Sequence, residues 1–160
     1  MRAVSFVSRL EFEFKGNVSK NAICLGDADN DNDYELVIGN HLGDMAIFKG
    51  DASESWLEAH DLGMIMVIVV GDILNEGKNS IISISGEGSC NIFEITNENL
   101  LESERKNLQP FHAQKLPANT KVALLADVDN DGELELVLGL TDHVLRTYRW
   151  VRLNNQVNNC

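Results

Sequence analysis

Two short segments concentrate carboxylates in a pattern that suits binding of a hard cation. Both fit D-x-D-x-D-[GN]-x-x-E, with acidic side chains at alternate positions. Such carboxylates converge on one centre, and calcium takes about six to eight oxygen ligands at about 2.3–2.6 Å. We therefore predict that each loop binds calcium in a structural role. The predicted ligands are Asp27, Asp29, Asp31, Asp33 and Glu35 in one loop, and Asp127, Asp129, Asp131, Glu133 and Glu135 in the other.

The loop positions have distinct predicted roles. Position six makes the sharp turn, because Gly132 accepts a positive φ readily and Asn32 is the next best residue. Position seven would offer its backbone carbonyl, and position nine the closing carboxylate. The loops are not EF-hands, because position twelve is Ile38 or Leu138 instead of a bidentate glutamate. The alternative is a pair of Asx-rich turns that bond to their own backbone, although five carboxylates in nine residues repel one another without a cation.

The acidic loops belong to an internal repeat with three copies, at residues 22–48, 67–93 and 122–148. Each copy has an apolar strand that ends at an aspartate, a loop, a second apolar strand and a third strand with an aromatic residue. In the second copy Asp72 remains, but Leu74, Glu76, Lys78 and Ser80 occupy the other ligand positions, and of these only Glu76 is acidic. We predict that its loop is a purely structural turn.

The repeat predicts an all-β fold. The first strand of each copy is a short apolar run, which is expected for a strand covered on both faces. Fourth strands are predicted at 56–62 and 111–116. Four short antiparallel strands per repeat are typical of a propeller blade, and three blades do not close a ring that usually needs about four to eight. The chain is therefore predicted to be a partial propeller that is a fragment of a longer one or closes by oligomerising.

The predicted organisation is a single partial propeller over residues 1–160. A lone outer strand at 1–16 precedes blade 1 at 22–62, and blade 2 spans 63–116 with a loop insertion at 97–111. An incomplete blade 3 follows at 117–153, and residues 154–160 form a frayed tail. The open blade faces are expected to expose apolar surface and to permit self-association.

Composition narrows the possible partners and location. The formal net charge is −12, which argues against binding nucleic acid or an anionic membrane surface. The N-terminus has no signal-peptide pattern, and no apolar run approaches the length of a membrane helix. Three dispersed cysteines, Cys24, Cys90 and Cys160, suggest a reducing compartment. These features predict a cytoplasmic protein without direct membrane insertion, although the sequon Asn17-Val18-Ser19 favours secretion.

The remaining polar residues do not form a catalytic pattern. The four histidines lack ligand-like spacing with the cysteines, and the G-x-S-x-G motif of a nucleophile elbow is absent. We predict that the protein is not an enzyme. A propeller hydrolase or lyase, with residues on central-channel loops, is the least favoured alternative.

The three copies, with their D-x-D-x-D-x-x-x-E loops and E-L-V-x-G strands, resemble FG-GAP repeats over about residues 22–150. FG-GAP repeats build the seven-bladed propeller of integrin α subunits. Segments 22–27, 71–79 and 116–122 are similar to the N-terminal part of the family of KICSTOR subunits that carry such repeats.

That resemblance implies a non-enzymatic scaffold of a cytosolic complex at the lysosomal surface. Its partners would be other KICSTOR subunits and a GATOR complex, which KICSTOR recruits to restrain TOR kinase signalling when nutrients are scarce. The alternative is an extracellular, calcium-dependent adhesion module of integrin-α type, which the sequon and the acidic loops favour.

Overall fold

The computed structural model describes residues 10–96 and 107–151, and within those ranges it contains eleven strands and no helix. The strands are β1 (Val18–Gly26), β2 (Glu35–Asn40), β3 (Met45–Lys49), β4 (Leu57–Ala59), β5 (Ile65–Gly71), β6 (Ser80–Ser85), β7 (Ser89–Phe93), β8 (His112–Lys115), β9 (Thr120–Ala126), β10 (Glu135–Leu140) and β11 (Leu145–Tyr148). The three strands predicted for each copy are all present, and β4 and β8 lie within the two segments where fourth strands are predicted.

The strands form three antiparallel meanders. The first meander is β1–β4 and the second is β5–β8, and a short parallel pairing at Asn21 and Val67 joins them in one eight-stranded sheet. The third meander is the separate sheet β9–β11. Within each meander, consecutive strands pair with each other, so each copy of the sequence repeat folds as one local unit.

The meanders pack with their first strands side by side, and β5 lies between β1 and β9. Two glycines permit this close approach. A Cβ on Gly26 would lie 2.8 Å from the Val70 side chain, and a Cβ on Gly71 would lie 2.6 Å from that of Leu125. Both glycines end the first strand of their meander, so the same contact is repeated between successive units.

Two apolar cores lie between the meanders. One core joins the first and second meanders and includes the buried side chains of Ile47, Ile81 and Phe93. The other joins the second and third meanders around Ile82 and Leu138. All six residues of β6 are buried, because it contributes alternate side chains to the two cores.

The prediction that first strands are covered on both faces is wrong for β1 and β9. Leu25 is 67% exposed and Leu124 is 48% exposed, and Ile23 and Val122 are exposed with them. Successive side chains of a strand point to opposite faces. Among the described residues, a neighbouring meander packs against only one face of each of these two strands.

The predicted lone strand is not found in the part of it that the structure describes. Residues 10–16 form no strand, and residues 1–9 lie outside the described ranges. The segment nevertheless packs on the first meander, since the Phe12 and Phe48 rings lie 5.1 Å apart and the Glu13 amide donates to the Ser53 carbonyl at 2.9 Å. Most of the predicted insertion at 97–111 and the tail at 154–160 also lie outside the described residues.

Asparagines at the fourth loop position connect successive loops. The side chain of Asn30 makes two hydrogen bonds to the backbone of Asn79. Its Oδ1 accepts from the Asn79 N–H at 2.7 Å, and its Nδ2 donates to the Asn79 carbonyl at 3.2 Å. Asn75 makes the same two bonds to the backbone of Leu134, at 2.7 and 3.2 Å. In both cases the target is position eight of the next loop. Asn130 occupies the same position in the third loop with the same positive φ, and no further such loop lies among the described residues.

Loss of this connection should weaken the packing of the loops. We expect Asn75→Ala to lower the free energy of unfolding of the 160-residue chain by about 1–2 kcal/mol more than Asn130→Ala does, because each hydrogen bond contributes about 0.5–1.5 kcal/mol. Both substitutions place alanine at a positive φ, so backbone strain cancels in the comparison. Urea denaturation measures the difference, and equal losses would contradict the proposed role of the amide.

Candidate cation site

The leading aspartate of each loop folds the loop backbone. The carboxylate of Asp27 accepts hydrogen bonds from the amides of Asp31 and Asn32, both at 3.0 Å. Asp72 and Asp127 accept the equivalent pairs, at 2.9 and 2.7 Å and at 3.2 and 2.9 Å. Position six has a positive φ in all three loops, as the sequence predicts. The second loop therefore keeps the turn although Leu74, Lys78 and Ser80 replace three of the other acidic residues.

The closing glutamates are the buried members of the two acidic loops. Glu35, the first residue of β2, is fully buried, and its Oε2 accepts a hydrogen bond from the Ala28 amide at 2.8 Å. Glu135 begins β10 and accepts the same bond from Val128 at 2.9 Å. Burial raises the pKa of Glu35, because desolvation disfavours the charged form. A nearby positive charge is therefore needed to keep this carboxylate ionised at low cost.

Three of the five predicted ligands in each loop come together. Carboxylate oxygens of Asp27, Asp29 and Glu35 lie within 4.8 Å of one another, and those of Asp127, Asp129 and Glu135 form the matching group. The remaining predicted ligands are not members of these groups. They are Asp31, Asp33, Asp131 and Glu133. Asp31 and Asp131 instead accept the backbone amides of Asp33 and Glu133, at 2.8 and 2.9 Å.

A lysine side chain occupies the centre of the first acidic loop. The Lys49 Nζ lies 2.5 Å from Asp29 Oδ2, 2.5 Å from Asp31 Oδ2 and 3.6 Å from Glu35 Oε1. It also lies 4.9 Å from the centroid of the Trp56 ring, where a cation is attracted by the ring face. Burial lowers the pKa of Lys49, but the hydrogen bonds to Asp29 and Asp31 outweigh it and the net shift is upward. The ammonium is therefore charged at neutral pH.

An arginine has the same position in the third loop. Arg149 donates from Nη2 to Asp129 at 3.0 Å and lies 2.7 Å from Asp131 through Nη1. Its Nε donates to Glu135 Oε1 at 2.8 Å, with a further bond from Nη2, and Glu133 lies 3.9 Å away. The hydrogen bond to Glu135 is the main cause of a raised pKa for Arg149. The guanidinium thus contacts four of the five predicted ligands.

Sequence reasoning missed both cations, although a signal was present. Lys49 and Arg149 each follow the aromatic residue of the third strand directly, fourteen positions after the closing glutamate. In the second copy, Glu94 stands at that position and Ser80 stands at the glutamate position. The closing glutamate and the basic residue are therefore present together in two copies and absent together in the other.

The carboxylate oxygens alone fit calcium, but the described side chains taken together do not. Asp29 Oδ1 and Glu35 Oε1 are buried without a hydrogen-bond partner, which is the donor chemistry that a hard cation prefers. A divalent ion at these oxygens would lie within a few ångströms of the Lys49 ammonium and would be repelled by it. The same holds for Arg149 in the third loop. Calcium binding stays a prediction, and it would require these two side chains to move away.

Outside the acidic loops, a histidine–aspartate pair and a buried cysteine have shifted pKa values. His60 Nδ1 lies 2.9 Å from Asp44 Oδ1, and its Nε2 lies 3.5 Å from Glu58. The hydrogen bond between His60 and Asp44 raises the pKa of His60 and lowers that of Asp44. Burial raises the pKa of the Cys90 thiol to about 11, so this cysteine is protonated and unreactive at neutral pH.

The His60–Asp44 pair should make stability depend on pH. The raised pKa of His60 means that its contribution is present below about pH 6.5 and is lost as pH rises through the folded-state value. We expect His60→Gln to lower the free energy of unfolding by about 0.5 kcal/mol near pH 5.5, and by less near pH 8.5, because the pair is partly exposed. His143→Gln, at an exposed histidine in the turn between β10 and β11, is the control. A loss that is the same at both pH values would contradict this assignment.

Comparisons with known proteins identify the family. Residues 49–160 match the family described as Integrin-alpha FG-GAP repeat-containing protein 2. The "KICSTOR complex protein ITFG2" of Mus musculus is 42% identical over 159 residues, 96% of this chain and 36% of that protein. The Bos taurus protein of the same name is 41% identical over 157 residues, 94% of this chain and 30% of that protein. The chain therefore spans about a third of the length of these curated relatives.

Solved structures agree on the fold. Two crystal structures of BBS1N in complex with ARL6DN, one soaked with lead and one with mercury, align with TM-scores of 0.56 and 0.55. They cover 84% and 86% of this chain and 41% of the matched chain, at 15% and 18% identity, so the likeness concerns the propeller-like all-β fold alone. Within residues 10–96 and 107–151, no helix is long and apolar enough to cross a membrane. By its sequence match, the chain belongs to the Integrin-alpha FG-GAP repeat-containing protein 2 family.

Proposed function

We propose that this chain is part of a non-enzymatic β-propeller scaffold that binds other proteins within a KICSTOR complex. The observation that carries the proposal is the 42% identity to KICSTOR complex protein ITFG2, which extends over 96% of the chain. The partners would be the other KICSTOR subunits and a GATOR complex. The protein would act in the cytoplasm, at the lysosomal surface through its partners, as a negative regulator of TOR kinase signalling.

We further propose that the three meanders are three blades of a larger ring, of seven blades as in FG-GAP propellers. The blades would be residues 22–62, 63–116 and 117–153. Support comes from the repeated contacts between units, since the glycine approach and the asparagine connection both occur twice with the same geometry. A head-to-tail contact that repeats with a fixed rotation generates a ring when the rotation closes.

The exposed face of the third meander supports the presence of a further blade. On the third meander, Val122 and Leu124 of β9 share one face with Val137 of β10 and Leu145 of β11, because the register pairs them across the ladder. Leu145 is 76% exposed. This face corresponds to the ones that the first and second meanders use to pack against the next unit. It therefore fits another meander, and in the isolated chain it favours self-association.

Self-association through this face is testable in the isolated chain. We expect Leu145→Lys to shift the chain toward monomer in analytical ultracentrifugation, because a charge on the exposed face opposes burial against a second copy. Leu42→Lys is the matched control, since Leu42 is 73% exposed but lies in the turn between β2 and β3. A monomer at all concentrations, or equal effects of both substitutions, would contradict self-association through the sheet face.

Affinity purification from cultured mouse cells tests the scaffold proposal. The tagged chain and the tagged full-length Mus musculus relative are produced in parallel cultures without an added signal sequence, and co-purifying proteins are identified by mass spectrometry. Recovery of KICSTOR subunits by both proteins is the expected result. Recovery by the full-length relative alone would show that this third of the protein does not carry the binding surface. Secretion of the chain with a glycan on Asn17 would contradict the cytosolic proposal and favour the adhesion alternative.

A further inference from the structure

We propose that Lys49 and Arg149 are the permanent cations of the first and third loops and take the place of the calcium that the loop pattern implies. The loops then fold without metal, and their carboxylates are neutralised by the chain itself. This inference concerns the chain's own side chains and does not depend on the scaffold proposal.

The ladder register brings each cation to its loop. Glu35 of β2 and Lys49 of β3 are direct cross-strand partners. In the third meander, Leu136 pairs with Tyr148, so Glu135 and Arg149 are the next positions along the same ladder. Cross-strand neighbours have Cβ atoms about 4.5–5.5 Å apart, which suits a charge pair. A long basic side chain at this position reaches the loop without any distortion of the strands.

The carboxylate oxygens divide into two sets with different partners. One set accepts backbone amides and holds the turn, and it includes both oxygens of Asp27 and Oε2 of Glu35. The other set faces the basic side chain. In the first loop this second set is Asp29 Oδ2, Asp31 Oδ2 and Glu35 Oε1, and in the third loop it is Asp129 Oδ2, Asp131 Oδ2 and Glu135 Oε1.

The first and third loops hold their basic side chains in the same way, because equivalent carboxylate oxygens contact the cation in both. A lysine and an arginine differ in length and in the geometry of their donors, yet they contact the same three oxygens. In each loop the basic side chain thus contacts oxygens that accept no backbone amide in the structure. A metal ion held by Asp27, Asp29 and Glu35 would share the carboxylates of Asp29 and Glu35 with the basic side chain, so the ion and the basic side chain compete for them.

The second copy serves as an internal control. It has the same turn at Asp72, but Leu74 and Ser80 replace two of the convergent carboxylates, and Glu94 replaces the basic residue. A cation is therefore provided only where the carboxylates converge. This pairing is expected if the basic residue neutralises the loop, and it has no explanation if the loop charge is neutralised by metal.

Removal of the basic side chains should create metal sites. The chain and the double variant Lys49→Met, Arg149→Met are titrated with calcium by isothermal calorimetry, and their melting temperatures are measured with excess calcium and with EDTA. We expect no calcium binding by the chain and the same melting temperature in both conditions. The double variant should gain measurable calcium binding and should melt at a lower temperature in EDTA than with excess calcium. Methionine keeps the length of the side chain but removes its charge.

Two controls separate charge from fold. Lys78→Met removes an exposed lysine from the second loop and should create no calcium binding. The exchange variant Lys49→Arg, Arg149→Lys keeps both charges and should remain insensitive to EDTA. Calcium binding by the unmodified chain, or a fall of its melting temperature in EDTA, would overturn the proposal, and this result does not require the double variant to fold. A folded double variant that binds no calcium would overturn it as well.

Discussion

The pairing of a buried glutamate with a basic residue on the neighbouring strand is the interaction on which each acidic loop depends. Glu35 and Glu135 lie at the start of the second strand of their meanders and accept a loop amide, so they fasten the loop to the sheet. Their burial is tolerable because Lys49 and Arg149 lie beside them. In the first meander the same loop also carries Asn30, which bonds to the backbone of the second loop, so the ion pair and a contact between units occur in one loop.

The contacts between units explain how a repeat of short strands becomes one structure. Each unit buries one sheet face against the next, a glycine lets the first strands approach, and an asparagine joins the loops at the same end. In both connections the asparagine belongs to the earlier unit and bonds to the backbone of the next unit along the chain, so the units stack in a fixed order. This geometry agrees with the propeller-like fold of the solved structures. The stability of an assembly built in this way comes from the repeated interfaces.

The sequence predicted the strands and the turns because these depend on local patterns. The apolar runs that became β1, β5 and β9 and the left-handed residues at Asn32 and Gly132 are readable from spacing alone. The roles of Lys49 and Arg149 depend on which residues face each other across a ladder, and the register becomes visible only in the fold. The two-sided burial predicted for β1 and β9 failed for a related reason, since it depends on neighbouring units that the local pattern does not specify.

A crystal structure of the chain grown in excess calcium tests the central claim most directly. The account predicts that Lys49 Nζ remains in contact with Asp29 and Asp31, that the Arg149 guanidinium remains on Asp129 and Glu135, and that no calcium lies between them. An ion coordinated by Asp27, Asp29 and Glu35, with Lys49 turned away into solvent, would contradict it.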